Sequence, residues 1–201
     1  MNLYSSKASA NRRLLPLVDR LARAGVTPDQ VTLAAIPVAV VGAACLLTSP
    51  AVPALLLLVP ILIVVRVVLN LLDGNLARRT ERTHPRGELY NEVGDRLADV
   101  AFLAPVAVLP GASSVLVLLG VLTGVLASYV GITARAAGGE RIYRGVLSKP
   151  GRMALLLVTC LVAFALGPDD GRAWTAFGPL LLVGTSLTLV ERLFVAVRRL
   201  P

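Results

Sequence analysis

Six apolar stretches of roughly membrane-spanning length dominate this sequence. A helix needs about 20 apolar residues to cross the hydrocarbon core of a bilayer. The stretches that contain or approach that length are 28–48, 51–80, 88–109, 113–136, 150–167 and 172–197. Only 16% of the 201 residues are charged, whereas a soluble domain usually carries about 25%. The sequence therefore predicts an all-α integral membrane protein with six transmembrane helices, and it excludes most soluble classes.

A basic amphipathic helix is predicted before the first span. Its apolar side recurs at helical spacing and comprises Leu14, Leu17 or Val18, and Leu21. Its opposite side is basic and comprises Arg12, Arg13, Arg20 and Arg23. Thr27 and Gln30 then form a capping-box pattern around a proline at the first helical position. We expect residues 1–26 to lie on the membrane surface and residues 27–201 to form one six-helix transmembrane domain.

The distribution of basic residues predicts the topology. Most of the 20 Lys and Arg residues lie before the first span, in the second-to-third and fourth-to-fifth connections, or after the last span, and Arg172 alone lies on the other side. Cytoplasmic segments carry the excess of Lys and Arg in membrane proteins. Both termini and the two long basic connections are therefore expected on the cytoplasmic side of a bacterial-type cytoplasmic membrane. Topology also accounts for the net charge of +8, so nucleic acid is not an expected partner.

Two of the predicted spans carry a polar face that a membrane helix does not need. In the second span, one face comprises Arg66, Asn70, Asp73 and Ala77. In the third span, one face comprises Glu88, Asn91, Asp95 and Asp99. Each ionised group in the membrane costs about 2.5–3.5 kcal/mol, so cations are expected among these acids. Carboxylate and amide oxygens suit Mg²⁺ or Mn²⁺, and the predicted metal ligands are Asn70, Asp73, Asn91, Asp95 and Asp99.

The same residues also admit a purely structural interpretation. The acids could pair with three arginines and neutralise one another without any chemistry; those arginines are Arg66, Arg78 and Arg96. Gly74 and Gly87 could allow close helix packing, or they could leave room for a nucleotide beside the backbone. Ionisable groups within a membrane usually have a function, which favours the metal site.

A resemblance to a known family rests on the second and third spans, which read Asn70-x2-Asp73-Gly74-x2-Ala77-Arg78-x8-Gly87-x3-Asn91-x3-Asp95. This pattern resembles the signature of the CDP-alcohol phosphotransferases, D-x2-D-G-x2-A-R-x8-G-x3-D-x3-D, with matching spacing. Enzymes of that family have six transmembrane helices behind a surface helix, act as homodimers and bind two divalent ions through four aspartates. Asparagine replaces the first and third aspartates here, and Asp99 adds a carboxylate one turn beyond the last one. The resemblance therefore implies weaker binding of one ion, or a metal site displaced by about one helical turn, 5.4 Å.

The resemblance also implies a reaction and a set of roles. An alcohol would attack the β-phosphorus of a CDP-linked donor, usually CDP-diacylglycerol, and CMP would leave. The implied nucleotide-binding residues are Asp73, Gly74, Ala77, Arg78 and Gly87. The implied general base is Asp95, with Asp99 as the alternative catalytic residue. The implied partners are the donor lipid, a small alcohol acceptor, membrane lipids and a second copy of the chain.

The connection between the fourth and fifth spans is strongly basic. Its candidate ligands for a lipid or acceptor phosphate are Arg141, Lys149 and Arg152. The alternative is that these cations only set topology and attract anionic lipids, at about 1 kcal/mol per side chain near the surface.

Three further questions stay open at the level of sequence. Small residues at Gly120, Gly124 and Ser128 share one face of the fourth span, as expected of a dimer seam or of close packing within the bundle. The polar faces could line the path of a small divalent-cation transporter instead of forming an active site. Asn70 and Asn91 could mark a catalytically weak relative that binds CDP-lipid.

Overall fold

The computed structural model of the protein describes residues 14–81, 85–167 and 170–200, and all regular structure within these ranges is helical. The elements are α1 (14–23), α2 (Pro28–Thr48), α3 (Leu55–Arg79), α4 (Pro85–Leu103), a 3-10 helix (Ala104–Val108), α5 (Ser114–Ala136), α6 (Lys149–Leu166) and α7 (Arg172–Arg199). The predicted all-α class is confirmed.

Five helices are long and apolar enough to cross a membrane, namely α2, α3, α5, α6 and α7. The element that corresponds to the predicted third span, α4, is 19 residues long. It carries the charged residues Arg86, Glu88, Glu92, Asp95, Arg96 and Asp99. Its α-helix ends at Leu103, and the chain continues as the 3-10 helix, which has a proline in its first turn. Composition thus identifies five of the six predicted spans, and α4 differs from them by its charge.

The chain divides into two compact units, and the boundary between them crosses α2, α3 and α4. The first unit comprises the described residues up to Val41 together with Leu62–Ala98 as far as they are described. The second unit comprises Gly42–Ile61 and the described residues from Asp99 onward. The two units are described separately below.

In the first unit, the apolar side of α1 packs against the protein. Val18 is 1% exposed and belongs to a core cluster with Val31, Leu72 and Leu76. Leu17 is 40% exposed, so Val18 and not Leu17 continues the apolar side of the helix. Further core contacts come from Leu14 and Leu21. Arg12 and Arg13, which are predicted on the basic side of this helix, lie outside the described residues.

The start of α2 follows the predicted capping box. The Thr27 N–H donates to Gln30 Oε1 (2.9 Å), and the Gln30 N–H donates to Thr27 Oγ1 (3.3 Å). These reciprocal bonds satisfy backbone donors that the first turn of a helix otherwise leaves without partners. The helix accordingly begins at Pro28, as the sequence predicts.

In the second unit, α5 packs closely against α7 through small residues. A Cβ at Gly120 would lie 2.8 Å from Leu181 Cγ, and one at Gly124 would lie 3.4 Å from Thr185 Cγ2. Ser128 is buried and donates its hydroxyl to the Gly124 carbonyl (3.0 Å). Close packing within the chain therefore accounts for this face of α5.

Candidate functional site

The polar faces of α3 and α4 meet at Asp95 in the first unit. Arg66 Nη2 lies 3.0 Å from Asp95 Oδ1, and Asn70 Nδ2 donates to the same oxygen at 2.9 Å. The Arg66 side chain is only 3% exposed and that of Asp95 is 12% exposed. Two residues of the α3 face and one of the α4 face are therefore joined in a single hydrogen-bonded group.

Asp73 is positioned by a residue that the sequence analysis did not identify. Thr32 Oγ1, from α2, donates to Asp73 Oδ2 (2.9 Å), and the Gly74 N–H donates to Asp73 Oδ1 (2.6 Å). The Asp73 residue is only 6% exposed. A lone hydroxyl in an apolar helix carries no sequence signal of such a role, because its partner lies 41 residues away.

Asp95 fits the purely structural interpretation, in which the acids pair with arginines. Its main cationic partner is Arg66, while Arg96 Nη2 lies farther off, 3.6 Å from Asp95 Oδ2 and 3.7 Å from Glu92 Oε2. Arg78 instead donates to Asn75 Oδ1 (2.8 Å). One carboxylate of the predicted metal set is therefore already neutralised by a buried guanidinium.

Asp99 lies in the second unit and forms a buried ion pair with Arg152. Arg152 Nη2 is 2.6 Å from Asp99 Oδ2, and the two side chains are 2% and 4% exposed. Arg152 Nη1 also donates to the Leu147 carbonyl (3.3 Å). A Cβ at Gly124 would lie 3.2 Å from Arg152 Cδ, so the glycine makes room for the arginine. Asp99, the alternative base, and Arg152, a predicted phosphate ligand, are therefore paired with each other.

The first unit contains side-chain oxygens of the kinds that hard divalent cations prefer. No group of three His, Cys, Asp or Glu side chains is arranged to hold a metal ion in the part of the chain that the structure describes. Asp73 supplies a carboxylate, and Asn70 and Asn91 supply neutral amide oxygens, which are acceptable ligands for Mg²⁺ or Mn²⁺. The charge of Asp95 is compensated by Arg66.

Gly74 is not required by helix packing. Within 4 Å of the position that a Cβ would take, the atoms found among the described residues are those of the Arg78 guanidinium, at 3.7 and 3.9 Å. These are the distances of an ordinary van der Waals contact. Arg78 itself is exposed, and Ala77, one turn from Asp73 on α3, is partly buried. On α4, Gly87 and Asn91 are partly buried as well. Close packing against another helix therefore does not account for Gly74.

The basic connection between α5 and α6 is held by Arg192, another residue for which the sequence analysis gave no role. Arg192 is 7% exposed, and its guanidinium donates to the carbonyls of Ala127, Tyr143 and Arg144 at 2.8–2.9 Å. The Arg141 guanidinium lies 4.7 Å from the centroid of the Tyr143 ring. The predicted phosphate ligand Arg141 is therefore carried by a connection with a fixed backbone.

Lys149 is the first residue of α6 and is partly buried, like Arg141. Arg152 lies in the first turn of the same helix and is turned into the protein toward Asp99. Two of the three predicted phosphate ligands are thus partly accessible, while the third is enclosed.

Comparisons with known proteins identify relatives of this chain. The inner membrane protein YnbA of Escherichia coli (strain K12) is 33% identical over 190 residues, which cover 94% of this chain and 92% of that one. Phosphatidylinositol phosphate synthase (PgsA1) of Mycobacterium tuberculosis has a similar fold. Its structure with CDP-DAG bound gives a TM-score of 0.78 at 24% identity, covering 94% of this chain and 95% of that one. Its structure with manganese and citrate gives 0.77 at 24% identity, covering 92% and 88%.

The family model for CDP-alcohol phosphatidyltransferases matches residues 25–190. This range contains α2 through α6, the greater part of α7, and every candidate site residue. Since the match covers most of the sequence, including the motif on α3 and α4, the chain belongs to the CDP-alcohol phosphatidyltransferase family.

Proposed function

We propose that the protein transfers a phosphatidyl group, or a similar substituted phosphate, from CDP-diacylglycerol or a similar CDP-linked donor to a small alcohol, with release of CMP. The observation that carries this proposal is the convergence of Arg66 and Asn70 of α3 on Asp95 of α4, which brings together the two halves of the family motif. Family membership supports a transferase of phospholipid synthesis. The CDP-DAG bound to the mycobacterial neighbour supports the choice of donor.

The reaction needs a base near the attacking alcohol. The alcohol oxygen would form a bond to the β-phosphorus, the bond from that phosphorus to the CMP oxygen would break, and the alcohol proton would pass to a carboxylate. We assign this base to Asp95 and not to Asp99, because the Asp99 side chain is 4% exposed and bound to Arg152. Hydrogen bonds from Arg66 and Asn70 to Oδ1 would fix the orientation of the Asp95 carboxylate.

Mg²⁺ or Mn²⁺, when bound, would neutralise the pyrophosphate and the departing CMP. We propose Asp73 as the main ligand, with the amide oxygens of Asn70 and Asn91 as neutral donors. The manganese in one mycobacterial structure supports this class of cation. Thr32 would hold the Asp73 carboxylate in place through the bond to Oδ2.

Cytidine is proposed to lie beside Gly74, Ala77 and Gly87, with Arg78 on a phosphate oxygen. This assignment is supported at Gly74 by the open space beside its Cα. Arg141 and Lys149 are proposed to bind the phosphate of the lipid or acceptor. Arg152 would contribute from within by holding the Leu147 carbonyl, two residues before Lys149.

We further propose that α4 is the sixth span of a homodimeric membrane enzyme whose termini and active site face the cytoplasm. Polar side chains are tolerated within a membrane when they pair with one another inside the protein. Asp95 pairs with Arg66 in the first unit, and Asp99 pairs with Arg152 in the second. The charge of α4 is therefore compatible with a membrane-spanning position.

A catalytically weak relative that binds a CDP-lipid is the second candidate. Two observations favour it: Asp95 is held by Arg66, and the described part of the chain has no group of three acidic, His or Cys side chains placed to bind a metal. The transporter hypothesis has no comparable support, because the family that matches the chain is a family of transferases.

The test is CMP release by the purified protein in detergent, with CDP-diacylglycerol, a panel of small alcohols and either Mg²⁺ or Mn²⁺. We expect CMP and a new phosphodiester lipid only when both an acceptor and a divalent cation are present. Donor binding without CMP release across the panel would favour the weak relative. Metal flux into proteoliposomes without CMP release would favour the transporter.

Gly74→Ala is expected to separate ligand binding from packing. Alanine is favoured over glycine in a helix by about 0.8–1.0 kcal/mol, and the Cβ would meet Arg78 at an ordinary contact distance of 3.7 Å. The variant should therefore keep or raise the unfolding temperature while the KM for the CDP-linked donor rises. Gly120→Ala is the matched control, because its Cβ would lie 2.8 Å from Leu181 Cγ and should lower the unfolding temperature. A normal KM for Gly74→Ala would contradict the proposed nucleotide position.

A further inference from the structure

Arg66 is a buried cation that membrane topology does not explain. Its side chain is 3% exposed, and it lies near the middle of α3, more than three turns before the basic last turn of that helix. A buried charge is costly unless it is paired and hydrogen-bonded. Its pairing with Asp95 reduces that cost as long as the carboxylate stays available to the guanidinium.

A guanidinium and a divalent cation compete for the same carboxylate oxygen. Asp95 Oδ1 already accepts from Arg66 Nη2 (3.0 Å) and Asn70 Nδ2 (2.9 Å). In this arrangement the Asn70 amide directs its N–H side, and not its oxygen, toward Asp95. A divalent cation at this oxygen would be repelled by the Arg66 guanidinium, which carries a full positive charge and lies 3.0 Å away.

The small number of carboxylates in the motif also argues against a second divalent cation. Asparagine at 70 and 91 leaves the pattern with the carboxylates of Asp73 and Asp95. Ligand charge governs the affinity of oxygen sites for divalent cations. Because Arg66 pairs with Asp95, one of these two negative charges is already compensated within the protein.

We propose that Arg66 is a built-in counter-cation of Asp95, so that the chain takes a single divalent cation to which Asp95 is not a ligand, and the guanidinium provides the positive charge that a second ion would otherwise supply. This inference deepens the proposed function and rests on it for the identity of the cation. In catalysis Arg66 is then a positioning residue, which acts through Asp95.

The test is the number of Mn²⁺ ions bound per chain, measured by electron paramagnetic resonance on the purified full chain in detergent without donor. We expect about one ion in the unmodified protein and about two in Arg66→Gln/Asn70→Asp, where Asp95 loses its guanidinium partner and a second carboxylate is added at position 70. Arg96→Gln is the matched control, because Arg96 lies 3.6 Å from Asp95 Oδ2 and makes the weaker contact. It should still bind about one ion.

A second variant keeps the test valid if the first fails to fold. Arg66→Gln/Asp95→Asn removes both charges of the pair, and it should still bind about one Mn²⁺ ion, because no ligand of that ion is changed. Loss of Mn²⁺ from this folded variant would overturn the inference, because Asp95 would then be a ligand of the single ion. Two ions in the unmodified protein would also overturn it, while metal-dependent CMP release would leave the proposed function intact. Failure of the proposed function would instead appear as absent CMP release by the unmodified protein.

Discussion

Replacing Asp73 by asparagine is expected to reduce CMP release by about 10²–10³-fold, the loss typical of removing one preorganised electrostatic group from an active site. Asp73 is the motif carboxylate that is positioned by a hydroxyl and a backbone N–H, whereas Asp95 is positioned by a guanidinium. Asparagine keeps the shape of the side chain but removes its charge. The variant should therefore lose metal-dependent activity while it still folds. The measurement is CMP release at saturating donor and Mg²⁺, together with the unfolding temperature.

Thr32→Val tests the same site from α2. Valine keeps the size of threonine and removes only the hydroxyl that donates to Asp73 Oδ2. Loss of such a supporting bond typically costs about 10–100-fold in metal affinity or activity, so higher Mg²⁺ should recover part of the rate. Glu140→Gln is the control, because that carboxylate is 88% exposed and lies 3.7 Å from Arg199 on the surface. Full activity of Asp73→Asn, the first variant, would contradict the assignment of Asp73 as a metal ligand.

Local signals in the sequence predicted local structure well. The capping box at Thr27 and Gln30 involves neighbouring residues, and α2 begins at Pro28 as predicted. The spacing of polar residues along α3 and α4 also predicted which side chains share a face, because helical geometry is fixed at 3.6 residues per turn. Apolar length predicted the spans wherever charge was low.

The partners of the buried charges could not be predicted in the same way. Three arginines and several acids lie within a few turns of one another, and the pairs they form depend on how the helices rotate and approach. Asp95 pairs with Arg66 across 29 residues, and Asp99 pairs with Arg152 across 53. The sequence analysis therefore placed Asp99 with the metal ligands and Arg152 with the phosphate ligands, and it did not foresee that the structure pairs them.

The ion pair between Asp99 and Arg152 is expected to give the largest stability effect in the protein. Removing one partner of a buried pair leaves an uncompensated charge, which typically costs about 3–5 kcal/mol. Asp99→Leu and Arg152→Met should each lower the unfolding temperature in detergent strongly. Arg144→Gln is the matched control, because Arg144 pairs with Glu191 while 63% exposed, and exposed pairs contribute about 0–1 kcal/mol.

The double variant Asp99→Leu/Arg152→Met should recover most of that loss, since apolar replacement of a whole buried pair is often neutral or stabilising by about 1–4 kcal/mol. Asp99 Oδ1 is buried and has no hydrogen-bond partner among the described residues. Because such an oxygen destabilises the fold, its removal in the double variant should aid the recovery. The folded double variant also tests whether the pair takes part in the reaction. Loss of a general base costs about 10²–10⁴-fold, whereas loss of a structural pair should leave CMP release within about tenfold of the unmodified protein. A stable double variant that loses more than about 10²-fold would place Asp99 or Arg152 in the reaction and would contradict a purely structural role of the pair.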